Sequence, residues 1–370
     1  MSLTKIVMTN VLIFIFLIGA VLLSPPIIYA AYSFIKSGKN SVQDTRAKLK
    51  IYDEFAWATR HFQELSQLKI EYHDFIVWKR KNFSGDTINI RNGIRKSIEL
   101  DDNFKDKKEI LFFGGSTTWG SGVSDEFTYP SIFSRKFSIK VENNGESGYT
   151  ARQSLALLQN KLIKKAADEF GPENKIVFYD GVNDVVHRCR SEITGLGTGH
   201  EDQIRNRLAA HGFKWSFART FSQLKDLIST GHRKIKSMFL VDHSTFYSCA
   251  KNPERAQEIA ATIVSTWRQA NVLANHYEMD FYAILQPVAF LGNPKIDYLD
   301  LTKPVDLELA RQYEAVYPII RKLAKLEDYN FIDLSAVYDG CNDCYIDFCH
   351  TGPQAHVRLA DAIAFHILDT

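Results

Sequence analysis

From about residue 105 onward, short apolar runs alternate with longer segments whose apolar positions recur at helical spacing. The runs fall at 110–113, 139–142, 176–179, 281–285 and 331–334. Between them lie 151–170, with Leu155, Leu158 and Leu162 on one face, then 253–277 and 305–326; the segment 352–368 follows the last run. Short apolar runs suit strands of a sheet covered on both faces, and their alternation with helices predicts an α/β fold with a parallel sheet. Five runs predict a five-stranded, doubly wound, flavodoxin-like sheet in three α/β/α layers. Residues 185–252 are too long for an ordinary connection and are expected to form a partly helical insertion over the carboxyl edge of that sheet.

Upstream the pattern differs. Between Lys5 and Lys36 there is no charged residue, and the apolar stretch 6–32 is long enough to cross a bilayer as a helix. A cleavable signal peptide is the rival reading, but Ile28-Tyr29-Ala30 makes a poor cleavage site. The expectation is an uncleaved single-pass anchor at 6–32, a linker and accessory segment at 33–104, and one catalytic-sized domain at 105–370. Within the accessory segment, 47–68 carries apolar residues at helical spacing. The stretch from Asp86 to Gly93 reads as a strand and a turn.

Composition narrows the classes. The 45 Lys+Arg against 43 Asp+Glu leave a net charge of +2, with no basic stripe to hold nucleic acid. Twenty-five Phe and 16 Tyr argue for a packed core and against disorder. Lys36, Lys39, Arg46, Lys48 and Lys50 follow the apolar span and would hold the main domain inside by the positive-inside rule, although long domains translocate largely regardless of such charges. The five cysteines point the other way. A Cys189–Cys249 bridge would close a loop of about 60 residues and restrict the unfolded chain by roughly 4 kcal/mol. Cys341, Cys344 and Cys349 would supply a second bridge and one free thiol. Reduced, buried cysteines are the alternative. The preferred location is extracytoplasmic, periplasmic or extracellular.

In such sheets the site lies beyond the carboxyl ends of the strands, so the residues after each run are where chemistry is sought. After the first run comes Gly114-Gly115-Ser116-Thr117-Thr118-Trp119-Gly120, a turn that can present Ser116 as a nucleophile. No lysine follows the glycines, so a phosphate-cradling P-loop is disfavoured. Gly148, before the Thr150 N-cap of the next helix, can offer a backbone N–H to a developing oxyanion, and Asn183 after the third run can offer its side-chain NH₂. Near the C-terminus, Asp347 stands three residues before His350, and Thr351 with Gln354 reads as a capping box for the last helix. Asp347 can fix the imidazole tautomer and His350 can serve as base to Ser116. A zinc site from Cys341, Cys344, Cys349 and His350 is the competing arrangement, though adjacent ligands at 349 and 350 fit one tetrahedron awkwardly. Trp119 can face a sugar ring or pack in the core.

The order of these segments resembles the four blocks of the SGNH/GDSL hydrolases: Gly-x-Ser, then Asn…Gly, then Gly-x-Asn-Asp, then Asp-x-x-His. The resemblance covers roughly residues 108–370. It implies Ser116, Asp347 and His350 as catalytic triad, and Ser116, Gly148 and Asn183 as oxyanion hole, with no cofactor and no metal. Where that family usually has Gly-Asp-Ser, Gly115 replaces the Asp, and Gly-Gly-Ser-Thr-Thr resembles a variant branch. The implied activity is hydrolysis of an acyl ester, an O-acetyl group on a cell-envelope carbohydrate being the preferred substrate. Lipid or thioester acyl chains, or acyl transfer, are alternatives on the same site, and a non-catalytic polysaccharide-binding or assembly module is the alternative of another class.

Overall fold

The computed structural model describes residues 44–98, 109–164, 171–191, 193 and 246–368. The expected anchor at 6–32 and most of the expected insertion at 185–252 lie outside these residues. Among the described residues no helix is long and apolar enough to cross a membrane.

In chain order the strands are β1 (Ile70–His73), β2 (Val77–Arg80), β3 (Phe83–Ser84), β4 (Asn89–Arg91), β5 (Ile94–Arg95), β6 (Glu109–Gly114), β7 (Lys140–Gly145), β8 (Lys175–Asp180), β9 (Asp280–Leu285) and β10 (Asn330–Asp333). The helices are α1 (Ala58–Gln67), α2 (Ser116–Trp119), α3 (Tyr129–Phe137), α4 (Ala151–Lys164), α5 (Val182–Arg188), α6 (Pro253–His276), α7 (Pro304–Ala324) and α8 (Pro353–Ile367).

The five apolar runs become β6 to β10, all parallel to their neighbours in the order β10-β9-β8-β6-β7. Successive residues of a strand point to opposite faces, and each face has its own core. Leu111, Phe113, Ile176, Phe178, Phe281 and Ala283 pack beneath α4, α6 and α7. Ile110, Phe112, Val177, Tyr179, Tyr282 and Ile284 pack beneath α3 and α8. Each large side chain so buried stabilises the fold by about 1.5–3 kcal/mol. The helix after β6 lies on one face and the helix after β7 on the other, so a crevice opens at the carboxyl end of β6.

The expected five-stranded parallel sheet is incomplete by three strands. β5, β4 and β3 continue it beyond β7 in antiparallel pairs, giving a mixed eight-stranded sheet. These strands have two or three residues each, too few for alternation to register in the sequence. The strand and turn read from Asp86 to Gly93 correspond to β4 and its Asn92-Gly93 turn, both of positive φ. The described part of the accessory segment thus belongs to the same compact unit as the strands that follow, and the boundary drawn at 105 falls inside it.

Two local expectations also change. The helix expected over 47–68 is broken into 3₁₀ turns at Thr45–Lys48 and Lys50–Tyr52 and the separate α1, because Leu49 is extended. Ile51 and Tyr52 are thereby turned into a small core with Phe62 and Ile346. The capping box at Thr351 does not form: Gly352 caps α8, with Pro353 in its first turn.

Two buried histidines make this fold acid-sensitive. His356 is 1% exposed and its Nδ1 accepts the Tyr129 N–H at 2.9 Å, so that nitrogen must be unprotonated. His61 is fully buried and donates from Nε2 to the Ser121 carbonyl at 3.0 Å. Burial first, and Arg95 second, push both down to about 3. The unfolded chain protonates them near 6.5, so their stabilisation is complete above that pH and is lost as pH falls toward 3. Each should contribute a slope of up to about 1.4 kcal/mol per pH unit in that window. Urea unfolding at pH 7, 5.5 and 4.5 should follow it, and His356→Asn, which keeps an acceptor for Tyr129, should remove one proton's share of the slope. An unchanged slope would contradict the assignment.

Candidate active site

β6 delivers its last residues into a turn that other side chains could not make. Gly114 has φ +153°, and a Cβ there would overlap Thr118 Oγ1 and the Tyr179 carbonyl. Ser116 is the first residue of α2, which ends at Gly120 with φ +90°. Residues 345–351 form a second tight loop, with Ile346 N–H donating to the His350 carbonyl and Gly352 N–H to that of Cys344, each at 2.9 Å.

These two loops meet. Ser116 Oγ lies 2.7 Å from His350 Nε2, and His350 Nδ1 lies 2.7 Å from Asp347 Oδ2. The other carboxylate oxygen of Asp347 accepts the backbone N–H groups of Cys349 at 3.0 Å and His350 at 2.7 Å. Burial opposes the charge on Asp347, but His350 and these N–H donors outweigh it and hold the carboxyl well below the usual range. The carboxylate is therefore ionised and fixed, with one lone pair directed at the imidazole. Such a chain can draw a proton from the serine hydroxyl and return it elsewhere.

The residues expected to serve an oxyanion lie on the two neighbouring loops. Gly148 has φ +82° in the turn between β7 and α4. Asn183 sits in the first turn of α5, after Gly181. Asn183 Nδ2 donates to the Tyr149 carbonyl at 2.8 Å, which ties the β8 loop to the Gly148 loop and commits one of its two N–H bonds. The same nitrogen lies against Gly115, where a Cβ would overlap it. This gives a physical reason for glycine at 115: the carboxamide occupies the space a side chain would take. Neither Ser116 N–H nor Gly148 N–H has a hydrogen-bond acceptor among the described residues.

Beneath Asn183, Asp184 accepts the Ala151 N–H at 3.1 Å and so caps α4. Burial raises its carboxyl to about 6, against the pull of Arg188.

The zinc arrangement does not form. Cys341 and Cys344 are bonded to each other, as are Cys189 and Cys249, leaving Cys349 as a buried free thiol. Its sulfur is 3.7 Å from His350 Nδ1, and burial, then Asp347, push it well above the ordinary thiol range. Trp119 is fully buried, so it faces no sugar. It lies between two guanidinium groups, Arg80 at 3.9 Å and Arg95 at 4.2 Å from the ring centroid.

Sequence reasoning missed the residues that fix the Ser116 loop. Arg95, fully buried on β5, donates to the carbonyls of Trp119 at 2.9 Å, Gly120 at 2.5 Å and Val123 at 2.7 Å, and pairs with Asp125 at 2.8 Å. Tyr52 donates to the Gly122 carbonyl at 2.6 Å. Arg80 pairs with buried Glu146, which also accepts the Ser147 N–H at 2.7 Å. Arg95 follows Asn-Gly in a short polar stretch, where an arginine reads as solvated. Only the fold reveals that it faces inward.

No family model and no curated protein matches this chain. Among solved structures it is similar to an acetyl xylan esterase at 16% identity, covering 70% of this chain and 99% of that one with a TM-score of 0.39. It is similar to a carbohydrate acetylesterase from Sinorhizobium meliloti at 13%, covering 71% and 99%, TM-score 0.39. A GDSL-like lipase from Bacteroides thetaiotaomicron matches at 11%, covering 71% and 89%, TM-score 0.37. Likenesses this slight carry no argument about activity or substrate, which rest on the site's own geometry.

Replacing Arg95 by Met should strand the buried Trp119 and Val123 carbonyls, leave the Gly120 carbonyl only the Val123 N–H, and leave Asp125 without its cationic partner. The expected cost is about 3–5 kcal/mol of stability, read as a lowered midpoint in denaturant. A loss under about 1 kcal/mol would show that the Ser116 loop does not depend on it.

Proposed function

We propose that this chain is a serine esterase of the SGNH/GDSL type, with Ser116 as nucleophile, His350 as base and Asp347 as its orienting carboxylate. The observation that carries this reading is the continuous hydrogen-bonded chain from Ser116 Oγ through the imidazole to an ionised Asp347. In the proposed reaction His350 Nε2 takes the Ser116 proton as the oxygen attacks the acyl carbon. The tetrahedral oxyanion receives hydrogen bonds from Ser116 N–H, Gly148 N–H and the Asn183 carboxamide. The imidazolium then protonates the departing alcohol. Water, deprotonated by the same imidazole, attacks the acyl carbon, and the imidazolium returns that proton to Ser116 Oγ as the acid leaves. These steps require only the chain's own residues.

The finer reading is an O-acetyl ester on a cell-envelope carbohydrate, cleaved outside the cytoplasm by a domain tethered through the apolar segment 6–32. Two disulfides among the described residues support an oxidising compartment. The length and composition of 6–32 support a tether.

Purified protein should turn over an aryl acetate, and both Ser116→Ala and His350→Ala should abolish that turnover. Asp347→Asn should lower kcat by about 10⁴-fold while leaving the fold intact. Asn183→Ala should cost on the order of 10²–10³. A series of acyl lengths and acetylated oligosaccharides then tests the substrate: fastest turnover on acetylated glycan supports the carbohydrate reading, and fastest turnover on long acyl chains replaces it with a lipid substrate. Absence of turnover across the whole panel by folded wild-type protein would favour a non-catalytic binding module.

A further inference from the structure

The relay has a fourth member that the motifs do not contain. Arg46 Nη1 lies 3.5 Å from Asp347 Oδ2, the same oxygen that accepts His350 Nδ1. Arg46 comes from the segment before the first helix, about 300 residues away in sequence from Asp347 and outside every block that resembles a hydrolase.

Its placement is built rather than incidental. Asp44 caps the 3₁₀ turn Thr45–Lys48, accepting the Arg46 backbone N–H at 3.0 Å, and its carboxylate also takes Arg46 Nε at 3.1 Å and Nη2 at 2.8 Å. The guanidinium lies over the ring of buried Phe62 on α1, 4.9 Å from its centroid. These bonds leave Nη1 free to turn toward Asp347. The segment itself is clamped to both catalytic loops. Tyr52 bonds the Gly122 carbonyl on the Ser116 side. On the His350 side, Ile51 packs so closely on Gly352 that a Cβ there would overlap it.

We propose that Arg46 is a positioning residue of the catalytic relay, holding the Asp347 carboxylate toward His350. The proposal rests on the serine esterase reading above. With Arg46 present, Oδ2 faces a positive charge at 3.5 Å as well as the imidazole, while Oδ1 already accepts two backbone N–H groups. The charge and these donors together hold the carboxylate toward the imidazole.

The test is the kinetics of the full chain on an aryl acetate, with the midpoint in denaturant beside it, for wild type, Arg46→Gln and Arg46→Lys. Arg46→Gln removes the charge and should lower kcat about tenfold with KM little changed. Arg46→Lys keeps the charge but loses the planar fork that lies between Asp44 and Asp347, so kcat should recover only in part. A purely structural role predicts lower stability with wild-type kcat in the folded protein for both variants. If Arg46→Gln does not fold, Arg46→Lys decides alone, since a wild-type kcat there would remove the role of the fork. Wild-type kcat in Arg46→Gln overturns the positioning role and leaves the esterase reading standing. Turnover that survives Ser116→Ala overturns the esterase reading itself.

Discussion

An ionised carboxylate in a half-buried loop is costly unless donors surround it, and the arrangement of this molecule follows from how Asp347 meets that demand. Its two oxygens accept two backbone N–H groups and the imidazole N–H of His350, and the Arg46 guanidinium lies 3.5 Å away as an ion pair. The backbone donors come from the Asp347–His350 loop, which therefore must hold one conformation. That loop in turn aims Nε2 at Ser116. A carboxylate satisfied in this way leaves the imidazole one tautomer and one orientation, which is what a base needs if it is to act without reorganising.

The sheet supplies the rest by convergence. β6, β7 and β8 are adjacent and parallel, so the loops carrying Ser116, Gly148 and Asn183 emerge side by side at one edge. They are then fastened to one another by few bonds of high consequence: Asn183 to the Tyr149 carbonyl, Asp184 to Ala151 N–H, and Glu146 N–H to the Gly114 carbonyl at 3.0 Å. Behind them the segment 44–95 acts as a brace. Arg95 gathers three carbonyls of the Ser116 loop, His61 and Tyr52 take two more, and Arg80 and Arg95 both lie over the Trp119 ring. A site whose loops are pinned from behind can keep sub-ångström geometry without a rigid lid.

Much of this was legible in the residues. The central parallel strands were readable because burial on both faces makes sequences such as 110–113, 176–179 and 281–285 continuously apolar, and Ser116, Asp347 and His350 were readable because they follow strands or precede a helix at fixed spacing. Glycine at 115 looked like a departure from the hydrolase pattern, and only the position of the Asn183 carboxamide explains it. The brace was not legible. β3, β4 and β5 are too short to show a period, and Leu49 breaks the helical spacing of 47–68 without any proline or glycine to announce it. Arg46 and Arg95 gain their meaning from partners about 25 to 300 residues away, and local sequence pattern does not show which polar residue will face inward.

The central claim is that Ser116 is a hydroxyl activated by His350, and covalent trapping tests it most directly. Folded protein treated with a fluorophosphonate at neutral pH, digested and mapped by mass spectrometry should carry one adduct, on Ser116, and His350→Ala should lose it. A folded wild-type protein that leaves Ser116 unmodified, or a His350→Ala variant that labels there as fast as wild type, would contradict the account.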